Sequence, residues 1–184
     1  MKTYVTYGFF MALGGFLLNL VLYLVGFHSD PAKIQMAQWI AMGGGTVIAF
    51  VCLVLGTKAR RESVPPSEEF GYGRALGAGV MISLFASLFG IFTTYLYMTV
   101  INPGFTDILL QAQANNLEAK GISQDKIDQI QKMSAMWMKP AVQACFAFIF
   151  GMIFGTIFAL ITSAFLKRPA TEVPPLPEEP PAVA

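Results

Sequence analysis

The residues best suited to acid and base chemistry lie in a short polar stretch between two apolar runs. Glu68 and Glu69 are adjacent, and Arg74 follows shortly after them. Paired carboxylates can serve as general acid and base. They also come directly after Ser67, however, where the start of a helix favours both a capping hydroxyl and negative charge. The electrostatics of a helix start explains the two glutamates at least as well as catalysis does. A membrane enzyme that uses Glu68, Glu69 and Arg74 is therefore the function that we rank last.

Sulfur-containing side chains offer two further kinds of site. Met133, Met136 and Met138 are soft ligands that could hold copper, but no Cys or His lies near them in the sequence. Cys52 and Cys145 both lie in apolar runs, whereas a disulfide framework or a zinc site needs more cysteines at ligand spacing. We therefore expect the methionines to fill an interface, and we expect no catalytic residue, cofactor or metal.

The elements that carry these residues are strongly apolar. Of 184 residues, 55% are hydrophobic and 12% charged, and the mean hydropathy is +0.58. The apolar residues form four runs, at about 5–27, 34–57, 73–101 and 140–166, each long enough at ~1.5 Å per residue to cross a hydrocarbon core of about 30 Å. The sequence predicts an all-α membrane protein, with a four-transmembrane-helix bundle in residues 1–168 and the lipid bilayer as its surroundings.

Two polar segments lie outside these runs. Residues 105–138 predict an extracytoplasmic helical hairpin between spans 3 and 4, divided at Gly121, which can adopt a left-handed helix ending, with Ser123 capping the second helix. We expect its apolar face to lie on the bundle or in the headgroup layer rather than to form a groove for a partner. Residues 169–184 are rich in proline and predict a disordered cytoplasmic tail.

The basic residues predict the orientation, because positive charge near a span resists translocation. An even number of spans puts both termini on one side. If that side is the cytoplasm, it holds all four arginines: Arg60, Arg61, Arg74 and Arg168. We therefore expect a multi-pass protein of the bacterial inner membrane with both termini cytoplasmic. The net charge of +1 provides no basic field for nucleic acid.

Small residues at helical spacing predict how the spans pack, since helices in lipid associate by close backbone approach. The predicted helix-packing positions are Gly15, Gly45, Gly79, Ser83, Gly151, Gly155 and Ala159. Packing within the bundle is the preferred interpretation for most of them. A homodimer seam through Gly151 and Gly155 is the alternative.

Asn19 and Gln143 are the two amides well inside the predicted spans. An unpaired amide in hydrocarbon costs several kcal/mol, so we expect each to form a hydrogen bond between helices, in preference to binding a substrate. The body of each predicted span contains no Asp, Glu, Lys, Arg or His. This argues against proton relays, ion-coupled transport and voltage sensing, which place ionisable groups there.

Several short motifs carry a resemblance to a known family. They are an inner-face motif of Phe70, Tyr72, Gly73 and Arg74, and the segments Ile101-Asn102-Pro103, Tyr7-Gly8, Gly121-Ile122-Ser123 and Pro140. With them the chain resembles the bacterial domain-of-unknown-function family 4199 over nearly its whole length short of the tail. The resemblance implies a bacterial inner-membrane protein with four spans and no assigned activity, and it supplies no catalytic residues.

Two functional hypotheses remain. The first is a non-enzymatic membrane protein that packs against itself, as a homo-oligomer, or against a membrane-protein partner, as an accessory subunit. The alternative is a small oligomeric transporter or flippase without an intramembrane charge relay. It would need a polar lining from Asn19, Ser83, Ser87, Thr93, Thr94, Gln143 and Thr156. These groups must then converge on a wet cavity, whereas a dry bundle interior would argue against transport.

Overall fold

The computed structural model describes residues 1–170, which form long helices joined by short turns. The α-helices are α1 (Lys2–Leu24), α2 (Ile34–Glu62), α3 (Tyr72–Leu96), α4 (Phe105–Ala119), α5 (Gln124–Trp137) and α6 (Pro140–Leu166). A 3₁₀ turn, Pro31–Lys33, precedes α2, and a π-helical turn, Tyr97–Ile101, extends α3. Helices α1, α2, α3 and α6 are each long and apolar enough to cross a membrane. This confirms the all-helical fold with four candidate spans, and it suggests a membrane protein. The predicted tail from residue 171 onward lies outside the described residues.

The first span ends earlier than the sequence predicted. Helix α1 stops at Leu24 instead of near residue 27, because Gly26 turns into the left-handed region with φ 84°. The amide of Phe27 donates to the carbonyl of Leu22 at 2.9 Å, and that of Gly26 donates to Tyr23 at 2.9 Å. This pair of bonds is the Schellman ending, which satisfies the last carbonyls of a helix.

The second span starts as predicted and continues further. The Asp30 carboxylate accepts a hydrogen bond from the amide of Ala32 at 3.0 Å, so Asp30 caps the turn that leads into α2. Helix α2 then continues to Glu62 instead of ending near residue 57, because its charged last turns need no apolar surroundings. Helix α6 has the predicted bounds, Pro140–Leu166.

Helix α3 lies at the centre of the bundle, packing most extensively against α6 and next against α1, and α2 contacts α1, α3 and α6. At one end of the bundle, Nε of Arg60, near the end of α2, donates to the hydroxyl of Tyr4, near the start of α1. At the same end Phe70, just before α3, forms an isolated antiparallel bridge with Arg168, just after α6. The spans therefore alternate in direction. We call this end the terminus end and the opposite end, which carries α4 and α5, the hairpin end.

Helices α3 and α6 meet along small residues, which we call the α3–α6 seam. A Cβ added to Gly79 would lie 2.6 Å from Cβ of Ala159, and a Cβ added to Gly155 would lie 2.5 Å from Cβ of Ser83. At Gly151 the added atom would lie 2.6 Å from the hydroxyl oxygen of Ser87. The seam therefore contains five of the seven predicted packing positions.

The other two predicted positions, Gly15 and Gly45, are not at a helix contact within the chain, because nothing lies within 4 Å of a Cβ added at either. The contact between α1 and α2 uses their neighbours instead. A Cβ on Gly14 would lie 2.8 Å from Ile48, and one on Gly44 would lie 2.7 Å from Leu18. One residue is a rotation of about 100° around a helix, which turns the predicted glycines away from the contact.

Helices α4 and α5 pack against each other as a hairpin, and α4 also touches the 3₁₀ turn and α2. Gly121 adopts φ 74°, which confirms the predicted left-handed ending. Ser123 occupies the N-cap position, but its side chain makes no capping hydrogen bond, so capping by its hydroxyl was a wrong prediction. Its backbone carbonyl accepts from Lys126 instead, at 3.0 Å. Ile127 is fully buried and anchors α5.

Candidate functional site

The two amides predicted to lie inside the spans form hydrogen bonds with residues nearby in the chain. The amide nitrogen of Asn19 donates to the carbonyl of Gly15, one turn earlier on α1, at 2.9 Å. That of Gln143 donates to the carbonyl of Trp137, at the end of α5, at 3.2 Å. The bond of Asn19 therefore stays within its own helix, against the prediction of a bond between helices, whereas the bond of Gln143 joins α6 to α5. Among residues 1–170, the side-chain oxygens of Asn19 and Gln143 accept no hydrogen bond, so both amides keep acceptor capacity.

Asn19 and Gln143 line a common cleft of about 390 Å³ between α1, α3 and α6. Ser87, Thr93 and Thr94 of α3 line the same cleft. Five of the seven polar side chains that the transporter hypothesis requires are thus brought together. The cleft lies in the half of the bundle toward the hairpin end, because Gln143 is in the first turn of α6 and Thr94 in the last turn of α3.

The two remaining polar residues, Ser83 and Thr156, are not among the side chains that line the cleft. Ser83 is fully buried in the α3–α6 seam, where its hydroxyl donates to the carbonyl of Gly79 at 2.9 Å. It stabilises the bundle and is unavailable to a ligand.

The rest of the cleft wall is apolar, with small residues between larger ones. The lining includes Met11, Phe16, Met98, Leu109 and Ala147. No Asp, Glu, Lys, Arg or His lines the cleft within the described part of the chain. A few hydroxyl and amide groups in an apolar wall are typical of sites that orient a ligand by hydrogen bonds. The cleft therefore suits an uncharged polar group attached to an apolar body.

The π-helical turn brings Tyr97 to the hairpin end of the cleft, which it lines together with Phe105. The backbone carbonyl of Tyr97 accepts from the amide of Asn102 at 2.8 Å, which is the five-residue spacing of a π turn. Such turns are rare in helices and occur frequently at functional sites. Here the turn holds the ring of Tyr97 in the interior, with 5% of its surface exposed.

Tyr97 belongs to a buried polar cluster with His28 and Asn102. Nδ1 of His28 lies 2.5 Å from the Tyr97 hydroxyl, and the Asn102 amide donates to the carbonyl of His28 at 3.3 Å and to the Tyr97 hydroxyl at 3.4 Å. The ring of Phe105 lies 4.8 Å from that of His28. Burial lowers the pKa of His28, so the neutral imidazole is favoured. The cluster joins the segment after α1 to the segment after α3, at the hairpin end of the cleft.

Sequence reasoning missed this cluster. The available signal was that the chain has a single histidine, two residues after the glycine that ends α1. Its partner Tyr97 is 69 residues away in sequence, so no local pattern joins the two.

Residues 6–168 match the family described as Protein of unknown function (DUF4199). The chain belongs to this family. The matched segment of this DUF4199 protein includes the α3–α6 seam, the cleft and the buried cluster. No curated protein and no solved structure matches the chain.

The inner-face motif of this DUF4199 protein closes the terminus end of the bundle. Phe70 is 1% exposed and exchanges two backbone hydrogen bonds of 2.9 Å with Arg168. The hydroxyl of Tyr72 donates to the carbonyl of Leu160 on α6 at 3.2 Å. Gly73 is exposed and has no atom within 4 Å of an added Cβ. Phe70 and Tyr72 therefore fasten the loop between α2 and α3, and the first residue of α3, to the last part of α6 and the residue Arg168 that follows it.

The remaining member of the motif, Arg74, forms a 2.9 Å ion pair with Glu68, and both side chains are 54% exposed. Arg74 also donates to the carbonyl of Glu69 at 3.0 Å. The carboxylate of Glu68 is thus engaged in holding the loop. This geometry gives no support to acid and base chemistry by Glu68 and Glu69.

Proposed function

We propose that this DUF4199 protein is a non-enzymatic multi-pass protein of the bacterial inner membrane, with both termini in the cytoplasm and the hairpin outside. The arginines support this orientation. Arg60, Arg74 and Arg168 make their contacts at the terminus end, and arginine is enriched on the cytoplasmic side of membrane proteins.

Within that frame, the protein binds an uncharged amphipathic molecule through its hydroxyl-bearing head and moves it, as a small transporter or flippase without an intramembrane charge relay. The observation that carries this proposal is the convergence of Asn19, Gln143, Ser87, Thr93 and Thr94 on one cleft. Amides and hydroxyls used only for packing would be consumed by their neighbours, yet both amide oxygens remain available. The apolar wall between them suits the body of the ligand.

The geometry also argues against the hypothesis of a homodimer seam through Gly151 and Gly155. Gly151 and Gly155 face Ser87 and Ser83 of the same chain. Gly155 is buried, so a second copy cannot reach it unless α3 and α6 separate. The small residues of α6 therefore support folding of the monomer in preference to association.

The cleft can be tested by filling it. Gly15 lines the cleft and has no atom within 4 Å of an added Cβ, so Gly15→Leu fits without a backbone clash and fills ligand space. Gly43→Leu is the matched control, because Gly43 is exposed on α2 with nothing within 4 Å and does not line the cleft. Both changes raise helix propensity.

Two measurements follow. Extracts of protein purified in mild detergent should contain one uncharged hydroxyl-bearing amphipath in near-stoichiometric amount, several-fold depleted in Gly15→Leu and unchanged in Gly43→Leu. In vesicles, the wild type should expose a fluorescent neutral glycolipid of the inner leaflet to an external reductant faster than Gly15→Leu does. Equal retention and equal exposure rates in all three proteins would contradict the proposal.

A second candidate function is packing against another membrane protein, and Gly45 favours it. Gly45 lies on α2 with nothing within 4 Å of an added Cβ, so a partner helix could approach its backbone closely. Gly45→Leu should then reduce the size of the complex in mild detergent. An unchanged mass would remove this surface from consideration.

A further inference from the structure

Among the described residues 1–170, no carboxylate forms an ion pair with Arg60. Its Nε donates to the Tyr4 hydroxyl at 2.9 Å, and its Nη1 donates to the Ser63 hydroxyl at 2.8 Å. The guanidinium carbon also lies 5.9 Å from the centre of the Tyr4 ring. All of these partners are neutral, and within residues 1–170 Arg60 forms no ion pair and its Nη2 donates no hydrogen bond. The side chain is thus held in place while its charge and one donor group stay available.

Arg60 lines a cavity that a second arginine also lines. Arg60 and Arg74 both border a space of about 550 Å³ at the terminus end, together with Glu68. Glu68 is paired with Arg74 at 2.9 Å, so its charge offsets that of Arg74 and leaves one net positive charge from the three side chains. This matches a single phosphodiester, which carries one negative charge.

The floor of the cavity is apolar and extends into the bundle. Gly77, Ala78 and Met81 of α3 line it. Met81 follows the first residue of α3, Tyr72, by nine positions, which corresponds to about 13 Å along the helix axis. The cavity therefore combines guanidinium groups at the bundle end with an apolar surface that continues toward the membrane core.

We propose that this cavity is a binding site for an anionic glycerophospholipid, with the phosphodiester between Arg60 and Arg74 and an acyl chain along Gly77 and Met81. Arginine binds phosphate oxygens through its fork of N–H donors, and the preset position of Arg60 reduces the ordering cost. Free inorganic phosphate has the same recognition chemistry but would leave the apolar floor unused. The site is separate from the cleft at the hairpin end and independent of the ligand proposed there.

The first test removes the charge. Native mass spectrometry of the full chain in detergent measures binding of short-chain phosphatidylglycerol, phosphatidylcholine and inorganic phosphate. Arg60→Gln should weaken phosphatidylglycerol binding at least tenfold, as expected when a charge-assisted hydrogen bond is lost. Arg61→Gln is the matched control, because Arg61 is the next residue, carries the same charge and does not line the cavity. It should weaken binding less than twofold.

The second test fills the floor and leaves both arginines intact. A Cβ on Gly77 has nothing within 4 Å, so Gly77→Leu occupies the cavity without a backbone clash. It should weaken phosphatidylglycerol binding about tenfold and leave inorganic phosphate unaffected. Gly73→Leu, equally open on the same helix but outside this cavity, should change neither. This pair also decides the matter if Arg60→Gln fails to fold.

Three results would overturn the proposal. Equal losses in Arg60→Gln and Arg61→Gln would indicate attraction to a diffuse surface charge. Equal binding of phosphatidylglycerol and phosphatidylcholine would show that the anionic head is not selected. Phosphatidylglycerol binding that is insensitive to Gly77→Leu would show that no acyl chain lies along the floor of the cavity.

Discussion

Gly155→Ala tests whether the α3–α6 seam is as tight as its geometry implies. An added Cβ would lie 2.5 Å from Cβ of Ser83, far inside van der Waals contact. Ser83 cannot rotate away, because it is fully buried and its Cβ is fixed to the backbone. Overpacking of this kind costs about 1–3 kcal/mol, and we take the upper end. Alanine stabilises the helix by about 1 kcal/mol relative to glycine, so the free energy of unfolding should decrease by about 2 kcal/mol in total.

The assay is unfolding by sodium dodecyl sulfate in mixed micelles, followed by circular dichroism. Gly45→Ala is the control, since its Cβ meets nothing within 4 Å, and it should be neutral or slightly stabilising. Adding Ser83→Gly to Gly155→Ala removes the opposing Cβ and should recover most of the loss. The coupling energy in a double-mutant cycle should then equal the overpacking cost, about 3 kcal/mol, because the propensity gain is additive. The argument from close packing fails if Gly155→Ala and Gly45→Ala unfold at the same concentration of sodium dodecyl sulfate. It also fails if adding Ser83→Gly does not restore the stability of Gly155→Ala.

Four further predictions concern the two ends of the bundle. Because burial lowers the pKa of His28 below its ordinary value near 6.5, the unfolded chain binds the proton first as the pH falls. The free energy of unfolding should be level above about pH 7 and decrease from about 6.5 through the lowered folded pKa, and His28→Gln should flatten that decrease. Tyr97→Phe leaves Nδ1 of His28 without its partner at 2.5 Å and should cost about 1–3 kcal/mol in the same unfolding assay; no change would show that the hydroxyl is dispensable. Arg168→Ala removes hydrogen bonds to the carbonyls of Val64 and Pro65 at 3.0 and 3.1 Å and should cost about 1–2 kcal/mol, while Lys167→Ala, an exposed neighbour, should be neutral. A fluorescent protein fused to the C-terminus should be fluorescent and a phosphatase inserted at Gly121 active, and the reverse pattern would contradict the orientation.

The spans could be predicted because the bilayer requires long uncharged runs and the chain places recognisable signals at several ends. Asp30 caps the turn before α2, and Gly121 ends α4 in the left-handed conformation. The end of α1 could not be predicted from hydropathy, because Gly26 turns the chain inside an apolar run that continues to Phe27. At that point the backbone changes conformation while the composition does not.

The rotation of α1 and α2 could not be predicted for a related reason. Gly14 and Gly15 are adjacent, as are Gly44 and Gly45, so a small-residue pattern fits either choice. Contact with Leu18 and Ile48 selects Gly44 and Gly14. Adjacent glycines contain no information about which of them faces a neighbour. The large side chains opposite them decide it, and these are identified only once the helices are packed.

The composition of the candidate site was predicted, but its assembly was not. The polar residues of the cleft come from three different helices: Asn19 from α1, Thr93 from α3 and Gln143 from α6. Their convergence depends on the distance between α1 and α6, which pack on either side of α3. The cluster of His28 and Tyr97 depends on the same spacing. Sequence periodicity describes one helix at a time, so it predicts neither the convergence of the cleft residues nor the cluster of His28 and Tyr97.

The position of the cleft follows from how side-chain size changes along α3. Toward the terminus end, Gly79 and Ser83 let α6 approach closely, and Ser83 is fully buried at this contact. The seam ends at Ser87 and Gly151, which also line the cleft. Beyond Gly90, α3 carries Thr93 and Thr94, and the π-helical turn carries Tyr97; these side chains are too large for such an approach. The same helix face that closes one half of the bundle therefore opens the other, and polar groups there can meet a ligand.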